Sequence, residues 1–313
     1  MNKLTEQPNM GYPVGVYYVE LEKMYMKKVQ WHWHPELEIS LVRSGTAVFV
    51  IGEKQITVTA GSAILINGGR LHSILPVSDQ EEDAPCVILS ILFHPHYLFG
   101  SMDSFLAAKY GTPITENPEF YYTLFCPEDR WGKRGIECIN AILNANLNQS
   151  YGYELVTKSH LCSFWMQLLE KTDLFKKNTT PSSLSVLDEE RVKDAVSFMH
   201  EHYKEPLSLK DIAGSIHVSK SECCRCFKRA MQISPFDYLL MYRIYESACK
   251  MQRDDSEAGS IHSLAVSVGF HNTSYYNKIF KKYLSCTPTE YRGIIRKSHR
   301  DALNPYGIPF ARL

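Results

Sequence analysis

Apolar and polar residues alternate along the first part of the chain, up to about residue 100, with a period typical of β-strands that bury one face. The alternating segments are separated by turn signals, with glycine at positions 45, 52 and 61. In order they are VGVYYVEL, LEISLVRSG, AVFVIGEKQITVTAGSAILING and CVILSILFH. Short strands with evenly spaced turns predict a small antiparallel barrel or sandwich.

From about residue 104 the apolar positions recur at helical spacing instead. Two segments, RGIECINAILNANL and LVTKSHLCSFWMQLLEK, are amphipathic and long enough to pack on the sheet or on another subunit. Residues 176–187 are polar and contain proline, which is typical of a linker. Beyond them, residues 189–203 and 236–252 have the pattern of helices, and the first of these has acidic residues in its first turn.

These patterns predict an α+β protein with two domains, each long enough to bury a core of its own. The first domain is expected to comprise residues 1–175, followed by a linker at 176–188. An all-α second domain is expected at 189–300, with 301–313 as a C-terminal tail.

The second domain contains one helical unit twice, within residues 207–292. In each copy a short helix with a central alanine precedes a turn and a longer helix that closes on Phe-Lys. Residues 221–235 match the second copy at a constant offset of 53, after a one-residue insertion in the second turn. This is the pattern of a helix-turn-helix, in which Ala213 and Ala265 would let two helices cross closely. Gly269 falls in the second turn, where a positive φ is expected.

Residues 207–292, from LSLKDIAGSIHVS to TPTEYR, closely resemble the DNA-binding domain of AraC-type transcription regulators. The resemblance implies a double helix-turn-helix that binds double-stranded DNA, commonly as a homodimer, and that activates transcription through contact with RNA polymerase. Gln232 and Ser285 depart from the family pattern, which has glycine at this position. An ordinary residue there is expected to cost under about 1 kcal/mol if its φ is positive.

The second helix of a helix-turn-helix enters the major groove, with its outward side chains at the base edges. These helices are predicted at 219–230 and 272–283, with Phe227 and Phe280 directed inward. The outward residues, our candidates for DNA contact, are Lys220, Ser221, Arg225 and Lys228 in the first helix and Asn272, Thr273, Tyr275, Asn277, Lys278 and Lys281 in the second. We expect Arg225 to pair with guanine and Lys281 to contact a phosphate. The alternative is an exposed position without a DNA contact, which we accept for about half of them.

The distribution of charge also favours nucleic-acid binding by the second domain. The whole sequence has 34 basic and 34 acidic residues, so its net charge gives no argument for nucleic acid. Residues 188–313, however, hold 19 Lys/Arg and 15 Asp/Glu, and residues 273–300 hold seven basic residues and one acid. A basic stripe on a second helix-turn-helix is expected to bind phosphates, although charge alone fits a solvated helix face equally well.

The alternating segments contain a histidine motif. His32, His34 and Glu38 form H-x-H-x3-E, and His72 follows a second glycine-containing stretch. These spacings resemble the two cupin signatures, so the first domain is predicted to be a cupin-like antiparallel barrel. On one strand, positions 32, 34 and 38 would share a face and converge inside the barrel. On a later strand, His72 could complete a metal site of three nitrogens and one carboxylate.

Three interpretations of this motif stay open. The four residues would bind a metal ion, line an effector site with polar groups, or serve the fold alone. The AraC-type resemblance favours an effector site without a catalytic metal, so no cofactor is expected. The candidate effector-binding residues are His32, His34, Glu38, His72 and Arg70. Arg43 ranks below Arg70, because its parity puts it on the other face of the strand.

Hydropathy and cysteine content indicate the cellular compartment of the protein. No stretch approaches 18 consecutive apolar residues, and the N-terminus lacks the apolar core of a signal peptide, so we expect a cytoplasmic protein without membrane contact. The nine cysteines are an odd number in apolar surroundings and are predicted to be buried thiols rather than a disulfide framework. Cys223, Cys224 and Cys226 lack the spacing of zinc ligands, and core packing is expected for Cys223 and Cys226.

The favoured hypothesis is a ligand-responsive transcription regulator, not an enzyme. Its barrel would bind a small molecule, in this family often a sugar, helices within 134–171 would form a homodimer, and the linker would pass the change to the DNA-binding domain. A metal-dependent cupin enzyme is the main alternative, but it leaves the second domain unexplained. A third hypothesis is a constitutive DNA-binding protein whose barrel only dimerises.

Overall fold

The computed structural model describes residues 2–3, 12–24, 27–77, 85–101, 104–171, 183–253, 260–284 and 286–293. The predicted tail, 301–313, and the linker positions 176–182 therefore lie outside the described residues. The chain divides into two units, with the boundary between positions 182 and 183. Strands are found in the first unit, and the described part of the second is helical.

Two antiparallel sheets form the first unit. The strands are β1 (Asn2–Lys3), β2 (Val14–Glu20), β3 (Val29–His32), β4 (Leu37–Ser44), β5 (Thr46–Ile51), β6 (Lys54–Thr59), β7 (Ala63–Ile66), β8 (His72–Pro76), β9 (Val87–Phe93) and β10 (Tyr122–Phe125). One sheet has the order β1-β2-β9-β4-β7-β10, and the other has the order β3-β8-β5-β6. The antiparallel architecture that the alternation predicts is therefore confirmed.

Strand β4 lies inside the larger sheet and is buried on both faces. Its side chains alternate, so Ile39 joins a core with the helices, whereas Val42 joins a core with residues of the smaller sheet such as Phe49. By the same parity Glu38 and Ser40 face the space between the two sheets. A charged residue in that space needs partners, because an unpaired buried carboxylate is strongly unfavourable.

Helices pack on the outer face of the larger sheet. They are α1 (Pro95–Phe99), α2 (Thr112–Thr115), α3 (Arg130–Asn148) and α4 (Tyr153–Glu170), with a π-helical turn at Ala107–Gly111 directly before α2. The predicted amphipathic pair corresponds to α3 and α4, which bury residues such as Ile142 and Phe164 against the sheet. Cys162 was expected to be buried with the other thiols, but it is exposed, because it lies on the face of α4 directed away from the sheet.

The helices of the second unit are α5 (Ser183–His202), α6 (Leu209–Ser215), α7 (Lys220–Met231), α8 (Pro235–Arg253), α9 (Ile261–Ser267) and α10 (Thr273–Leu284). Residues 288–293 add a final short helix. The long helix expected between the two helix-turn-helix copies is α8, which buries Leu239 and Ile244. In the part of the chain that the structure describes, no helix is both long and apolar enough to cross a membrane.

Helix α5 begins earlier than the sequence predicts. The composition indicates a linker up to residue 188 and a helix from 189, whereas the helix starts at Ser183. Asp188 is only 2% exposed and accepts a hydrogen bond from Arg229 of α7. The linker assignment of residues 183–188 is therefore wrong, because these residues belong to the helix. Local composition does not reveal the tertiary contact between Asp188 and Arg229.

Candidate nucleic-acid interface and histidine cluster

Each helix-turn-helix begins with a helix capped in the same way. In α6, the side chain of Ser208 accepts a hydrogen bond from the backbone N–H of Asp211, and the Asp211 carboxylate accepts one from the backbone of Ser208. In α9, Ser260 and Ser263 make the same reciprocal contacts. Such caps satisfy N–H groups that the first turn of a helix leaves without partners.

The turns of the two copies contain the same backbone hydrogen bond, between residues that lie 52 positions apart in the sequence. The backbone N–H of Val218 donates to the carbonyl of Ala213 at 3.1 Å, and that of Phe270 donates to the carbonyl of Ala265 at 3.0 Å. Both alanines are buried. Each turn hydrogen bond therefore ends on a buried alanine, and the close crossing of the two helices at these alanines stays a prediction.

Gly269 and His217 occupy the equivalent position in the two turns, and φ is positive at both, +87° and +53°. The predicted conformation of Gly269 is thus confirmed. A Cβ atom at Gly269 would also lie 2.4 Å from the carbonyl oxygen of Tyr203 and 2.9 Å from Nε of Arg243, so space requires glycine too. His217 is exposed and accepts the left-handed conformation at a strain of roughly 1–2 kcal/mol.

A left-handed residue also ends α7. Gln232, at the position where the family pattern has glycine, has a φ of +60°. Its backbone N–H donates to the carbonyl of Lys228 at 3.2 Å, and the Lys228 ammonium donates to the carbonyl of Gln232 at 3.2 Å. The equivalent residue of the second copy, Ser285, lies outside the described residues.

Helices α7 and α10 bury equivalent positions at the offset of 53. The buried residues are Cys223, Cys226 and Phe227 in α7 and Tyr276, Ile279 and Phe280 in α10. Burial raises the pKa of Cys223 to about 11 and that of Cys226 to about 12. These two cysteines are therefore protonated core thiols, in agreement with the prediction of core packing.

The candidate DNA-contacting side chains lie on the opposite faces. Lys220, Ser221, Arg225 and Lys228 in α7 are exposed, as are Asn272, Tyr275, Asn277, Lys278 and Lys281 in or directly before α10, and Thr273 is half-buried. The outward orientation agrees with the helical period that predicts it. Contact of each residue with DNA stays a prediction.

Two of these residues also stabilise the local fold. Oδ1 of Asn272 accepts a hydrogen bond from the backbone N–H of Tyr275 at 2.9 Å, as Ser219 Oγ does from that of Glu222 at 3.1 Å. Each residue therefore caps the recognition helix that follows it. The hydroxyl of Thr273 lies 2.9 Å from Nδ1 of His262 in α9. These contacts fix the N-terminal ends of the helices, where base edges would be read.

An ion-pair network surrounds Arg225. Its Nε donates to Oε2 of Glu222 at 2.8 Å, and Oε1 of Glu222 accepts from Nη2 of Arg229 at 2.9 Å. The same Nη2 donates to Oδ1 of Asp188 at 3.0 Å. Hydrogen bonds from Arg225 and Arg229 lower the pKa of Glu222 to about 2, so this carboxylate is charged at neutral pH. The Arg225 side chain, 59% exposed, is thus oriented before DNA binds.

The sequence interpretation did not identify Glu222, Arg229 or Asp188 as part of this surface. The three-residue spacing of Glu222 and Arg225 on a predicted helix is a signal that could have indicated their pairing. Asp188 gives no comparable signal, since it comes from a different helix about forty positions away.

Arg243 of α8, which the sequence interpretation also missed, anchors the turn of the second helix-turn-helix. Its side chain is 6% exposed, and it donates to the carbonyl oxygens of Tyr203 and Glu205 at 2.7 Å each. Its guanidinium carbon lies 5.8 Å from the centre of the Phe270 ring. Because these carbonyls follow the end of α5, Arg243 joins α5, α8 and the turn before α10.

The histidine motif converges between the two sheets. His32 ends β3, His34 lies in the loop that follows, Glu38 belongs to β4, and His72 begins β8. One possible ligand atom from each of the four lies within 4.8 Å of the others, and each residue is at least nine-tenths buried. The expectation of a single strand through residues 32–38 is wrong. The chain leaves one sheet after His32 and enters the other at residue 37, with a proline between them that cannot donate to a strand.

Glu38 lies at the centre of this cluster. Its Oε2 is 3.1 Å from Nε2 of His34 and 3.2 Å from Nε2 of His72. Its Oε1 accepts hydrogen bonds from the hydroxyls of Ser40 at 2.6 Å and Ser90 at 3.3 Å. Burial alone raises the pKa of Glu38, but the hydrogen bonds from the two histidines hold it well below the usual value.

The backbone orients all three imidazole rings. Nδ1 of His32, His34 and His72 lies 2.8, 3.0 and 2.7 Å from the carbonyl oxygens of Gln30, Glu36 and Arg70 respectively. The His32 and His72 ring centres are 4.1 Å apart. Burial lowers the pKa of His32 to about 3, so this ring is neutral.

The Arg70 side chain holds a neighbouring loop. It donates to the carbonyl oxygens of Asn117 and Pro118 at 3.0 and 2.9 Å, and its guanidinium carbon lies 4.2 Å from the centre of the Tyr121 ring. These contacts give it a structural role, and its contact with an effector stays a prediction. Arg43 is exposed, in agreement with its lower rank.

Similar proteins extend over most of the chain. The HTH-type transcriptional regulator YdeC of Bacillus subtilis strain 168 is 27% identical over 292 residues, which are 93% of this chain and 96% of that protein. The melibiose operon regulatory protein of Escherichia coli K12 is 23% identical over 266 residues, 83% of this chain and 82% of its own length. Among solved structures, an apo ToxT variant of Vibrio cholerae strain SCE256 is 16% identical, covers 92% of this chain and 100% of that one, and has a TM-score of 0.48.

Two family models match the two units separately. Residues 15–160 match the AraC-like ligand binding domain, and residues 212–294 match a helix-turn-helix domain. An antiparallel double sheet followed by two helix-turn-helix motifs thus defines a two-domain transcription regulator with a ligand-binding and a DNA-binding domain. The chain belongs to the AraC-type family of transcription regulators.

Proposed function

We propose that this regulator acts as a cytoplasmic homodimer that binds a small-molecule effector in its first domain and a specific DNA site through its second. The supporting observation is the pair of exposed helices α7 and α10, which follow equivalent capped turns and flank α8. Helix α8 has 19 residues and, at 1.5 Å per residue, is about 28 Å long. This approaches the length of one turn of B-DNA, about 34 Å, so the two helices can reach successive major-groove segments.

The two recognition helices present different chemistry at equivalent positions. Arg225 of α7 corresponds to Lys278 of α10, and Cys224 corresponds to Asn277, at the offset of 53. Arginine pairs well with guanine, whereas asparagine pairs well with adenine. The two copies would therefore read different base sequences. The DNA half-site bound by one protomer would then have no internal symmetry.

Lysines near the C-terminal ends of the same helices suit phosphates. Lys228 and Lys281 are equivalent and exposed, and neither lies at the helix end that enters the groove first. Lys282 is already paired with Asp237 at 3.3 Å, so Lys281 is the better candidate in α10. Phosphate contacts of this kind fix the register of a protein on DNA without reading its sequence.

The effector would bind in the first domain, beside the histidine cluster. A buried carboxylate and three imidazoles supply polar groups inside an apolar core, which is how small-molecule sites fix the orientation of a ligand. The similarity to the melibiose operon regulatory protein, whose name refers to a sugar, supports a sugar as the effector class. Activation through contact with RNA polymerase is supported by the family alone.

Dimerisation would use the outer face of α4. Leu155, Cys162 and Met166 lie along one exposed stripe of this helix, with the small Ser159 between them. Leu155 is 75% exposed and Met166 is 54% exposed, an unusual position for large apolar side chains on a monomer. Two copies of the helix can cover these stripes, and the dimer would raise the effective concentration of the DNA-binding domains at paired half-sites.

Selection of DNA by the full-length protein tests the proposal. A pool of random duplexes is enriched for binding, and the affinity for the selected site is compared with that for a scrambled duplex at physiological salt. We expect the selected site to bind more tightly by roughly 10³-fold or more. Equal affinity for the selected and scrambled duplexes would contradict a sequence-specific regulator.

A metal-dependent cupin enzyme is a second candidate, favoured by the buried cluster of three histidines and a glutamate. The two relatives described above are transcription regulators, and catalysis would leave α7 and α10 without a role. Conversion of a small molecule that is lost in His34→Ala, while DNA binding is unchanged, would support the enzyme.

A further inference from the structure

Four charged side chains form a chain of hydrogen bonds from α5 to the exposed face of α7. Asp188 of α5 accepts from Nε of Arg229 and, at 3.0 Å, from Nη2 of the same guanidinium. Nη2 of Arg229 also donates to Oε1 of Glu222 at 2.9 Å, and Oε2 of Glu222 accepts from Nε of Arg225 at 2.8 Å. The charges alternate in sign along the chain, so each member is attracted to the next.

The chain is anchored at its buried end. Asp188 is buried, Glu222 and Arg229 are half-buried, and Arg225 is exposed. Burial alone raises the pKa of Asp188, but hydrogen bonds from Arg229 and from the Cys226 thiol, at 3.0 Å, hold it below the usual value. A buried carboxylate without partners is strongly unfavourable, so Asp188 fixes the position of the Arg229 guanidinium.

Glu222 occupies one edge of the Arg225 guanidinium and leaves another outside the contact. Both Nε and Nη2 of Arg225 donate to Oε2 of Glu222. The edge formed by Nη1 and Nη2 has two further N–H groups in fixed directions, which is the geometry that guanine accepts at O6 and N7. Arg225 can therefore pair with guanine while it keeps Glu222. Without this contact its side chain has more rotamers and reaches other acceptors, phosphates included.

The second helix-turn-helix provides an internal comparison. Lys282 of α10, the equivalent of Arg229, pairs with Asp237 in the first turn of α8 at 3.3 Å. Tyr275 occupies the position equivalent to Glu222 at the offset of 53, and its side chain has no carboxylate. The carboxylate that extends the ion pair towards a base-reading residue is thus particular to the first copy, and the packing of a recognition helix does not require it.

We propose that Asp188 and Glu222 are positioning residues for base recognition: through Arg229, they fix the orientation in which Arg225 contacts one base pair. The specificity of the first helix-turn-helix then depends on the first turns of α5, which contain Asp188. The inference rests on the proposed function, because it takes Arg225 as a base reader. It goes further by naming residues that act on DNA recognition through another side chain.

The test uses the full-length protein and its selected DNA site. The affinity for this site, divided by that for a duplex with one substituted base pair, gives the discrimination at that pair. Arg225→Ala identifies the pair that Arg225 reads. We expect Asp188→Asn and Glu222→Gln each to lower the discrimination at this pair by roughly 3-fold or more, because residues of one network are energetically coupled. Discrimination at the other pairs should be unchanged.

Asp237→Asn is the matched control, because it changes the equivalent ion pair of the second copy. It removes one negative charge, as Asp188→Asn and Glu222→Gln do, so a general gain in affinity for DNA cancels in the ratio. The control should keep the discrimination of the parent at the pair that Arg225 reads. In an Arg225→Ala background, Asp188→Asn should change no ratio further, which a role in folding alone does not predict.

Parental discrimination in Asp188→Asn or in Glu222→Gln overturns the inference, as does a loss of equal size at every base pair. If Asp188→Asn does not fold, Glu222→Gln decides, since Glu222 lies at the surface end of the chain. An Arg225→Ala variant that relaxes no base pair contradicts both the proposed base contact and this inference. Parental ratios in Glu222→Gln, when Arg225→Ala relaxes one pair, overturn this inference alone.

Discussion

Without DNA, Arg225 is already paired with a carboxylate. Its guanidinium contacts Glu222, which is shared with Arg229, so binding to guanine requires Arg225 to exchange or share this contact. A mismatched base would form too few hydrogen bonds with Arg225 to compensate for the lost ion pair. The intramolecular pair therefore favours discrimination between bases more than affinity as such.

Substitution of Arg225 tests its role as a base reader. Arg225→Ala should weaken binding to the selected site by about 1–3 kcal/mol and make one base pair of that site replaceable without further loss. Titrations against duplexes with single substitutions measure both effects. Arg43→Ala, which removes an exposed arginine of the first unit, is the control. Equal losses on every duplex would show that Arg225 does not read a base.

Lys281 should behave differently, because a phosphate contact carries no sequence information. Lys281→Ala is expected to weaken binding to all duplexes alike and to reduce the slope of log affinity against log salt by about one. Binding is measured over a series of salt concentrations, with Lys109→Ala in the first unit as a variant of the same charge change. An unchanged slope would exclude the phosphate contact.

We expect His200 to make the stability of the second domain depend on pH. Its ring stacks on Tyr242 with centres 3.9 Å apart, and burial lowers its pKa from 6.5 to about 4. The unfolded state therefore binds more protons than the native state between these values, and stability falls as the pH drops through this window. The loss should be roughly 1–2 kcal/mol at pH 5 relative to pH 7.

Hydrogen exchange of α5 and α8 amides measures this effect in the second domain alone. His200→Phe keeps the aromatic ring and removes the titrating group, so the variant should lose less stability between pH 7 and pH 5 than the parent does. The same loss in both proteins would assign the pH dependence to other groups.

At the scale of the elements, one substitution at a helix end and one in a turn should change the free energy of unfolding in opposite directions. Gln232 has a φ of +60°, so Gln232→Gly should raise the free energy of unfolding by up to about 1 kcal/mol. Gly269→Ala should lower it by more than about 1–2 kcal/mol, because the new Cβ meets a backbone oxygen 2.4 Å away at a φ of +87°. Urea unfolding of both variants measures the two changes. A shift of the same sign in both would contradict the assigned geometries.

The recognition helices could be predicted to within one residue. Ranges of 219–230 and 272–283 were expected, and the helices run from Lys220 to Met231 and from Thr273 to Leu284. Here a capping residue, a helical period and an internal repeat all indicate the same boundaries. The repeat is the strongest of these signals, since an error in one copy would show against the other.

Elements that depend on distant partners could not be predicted in this way. Strand β10 has only four residues and is fixed by its pairing with β7, some 60 positions earlier. The stretch from His32 to Glu38 alternates as one strand would, yet it passes from one sheet to the other. The first turns of α5 include Asp188, whose contact with Arg229 no local pattern shows.

At the scale of the whole molecule, the zero net charge is the sum of two parts of the chain with opposite net charges. The DNA-binding half has four more basic than acidic residues, and the first half has the reverse. One second domain carries two recognition helices, and a dimer would carry four. The affinity of the dimer would then depend on geometry as much as on single contacts, because linked sites act through their effective concentration.

The most direct test of the central claim is a hydroxyl-radical footprint of the full-length protein on its selected site. Two recognition helices joined by α8 should protect, for each bound domain, two patches on one face of the duplex about 10 base pairs apart. Arg225→Ala should weaken protection at one of these patches and not at the other. A single patch shorter than one helical turn, or two patches on opposite faces about 5 base pairs apart, would contradict the claim.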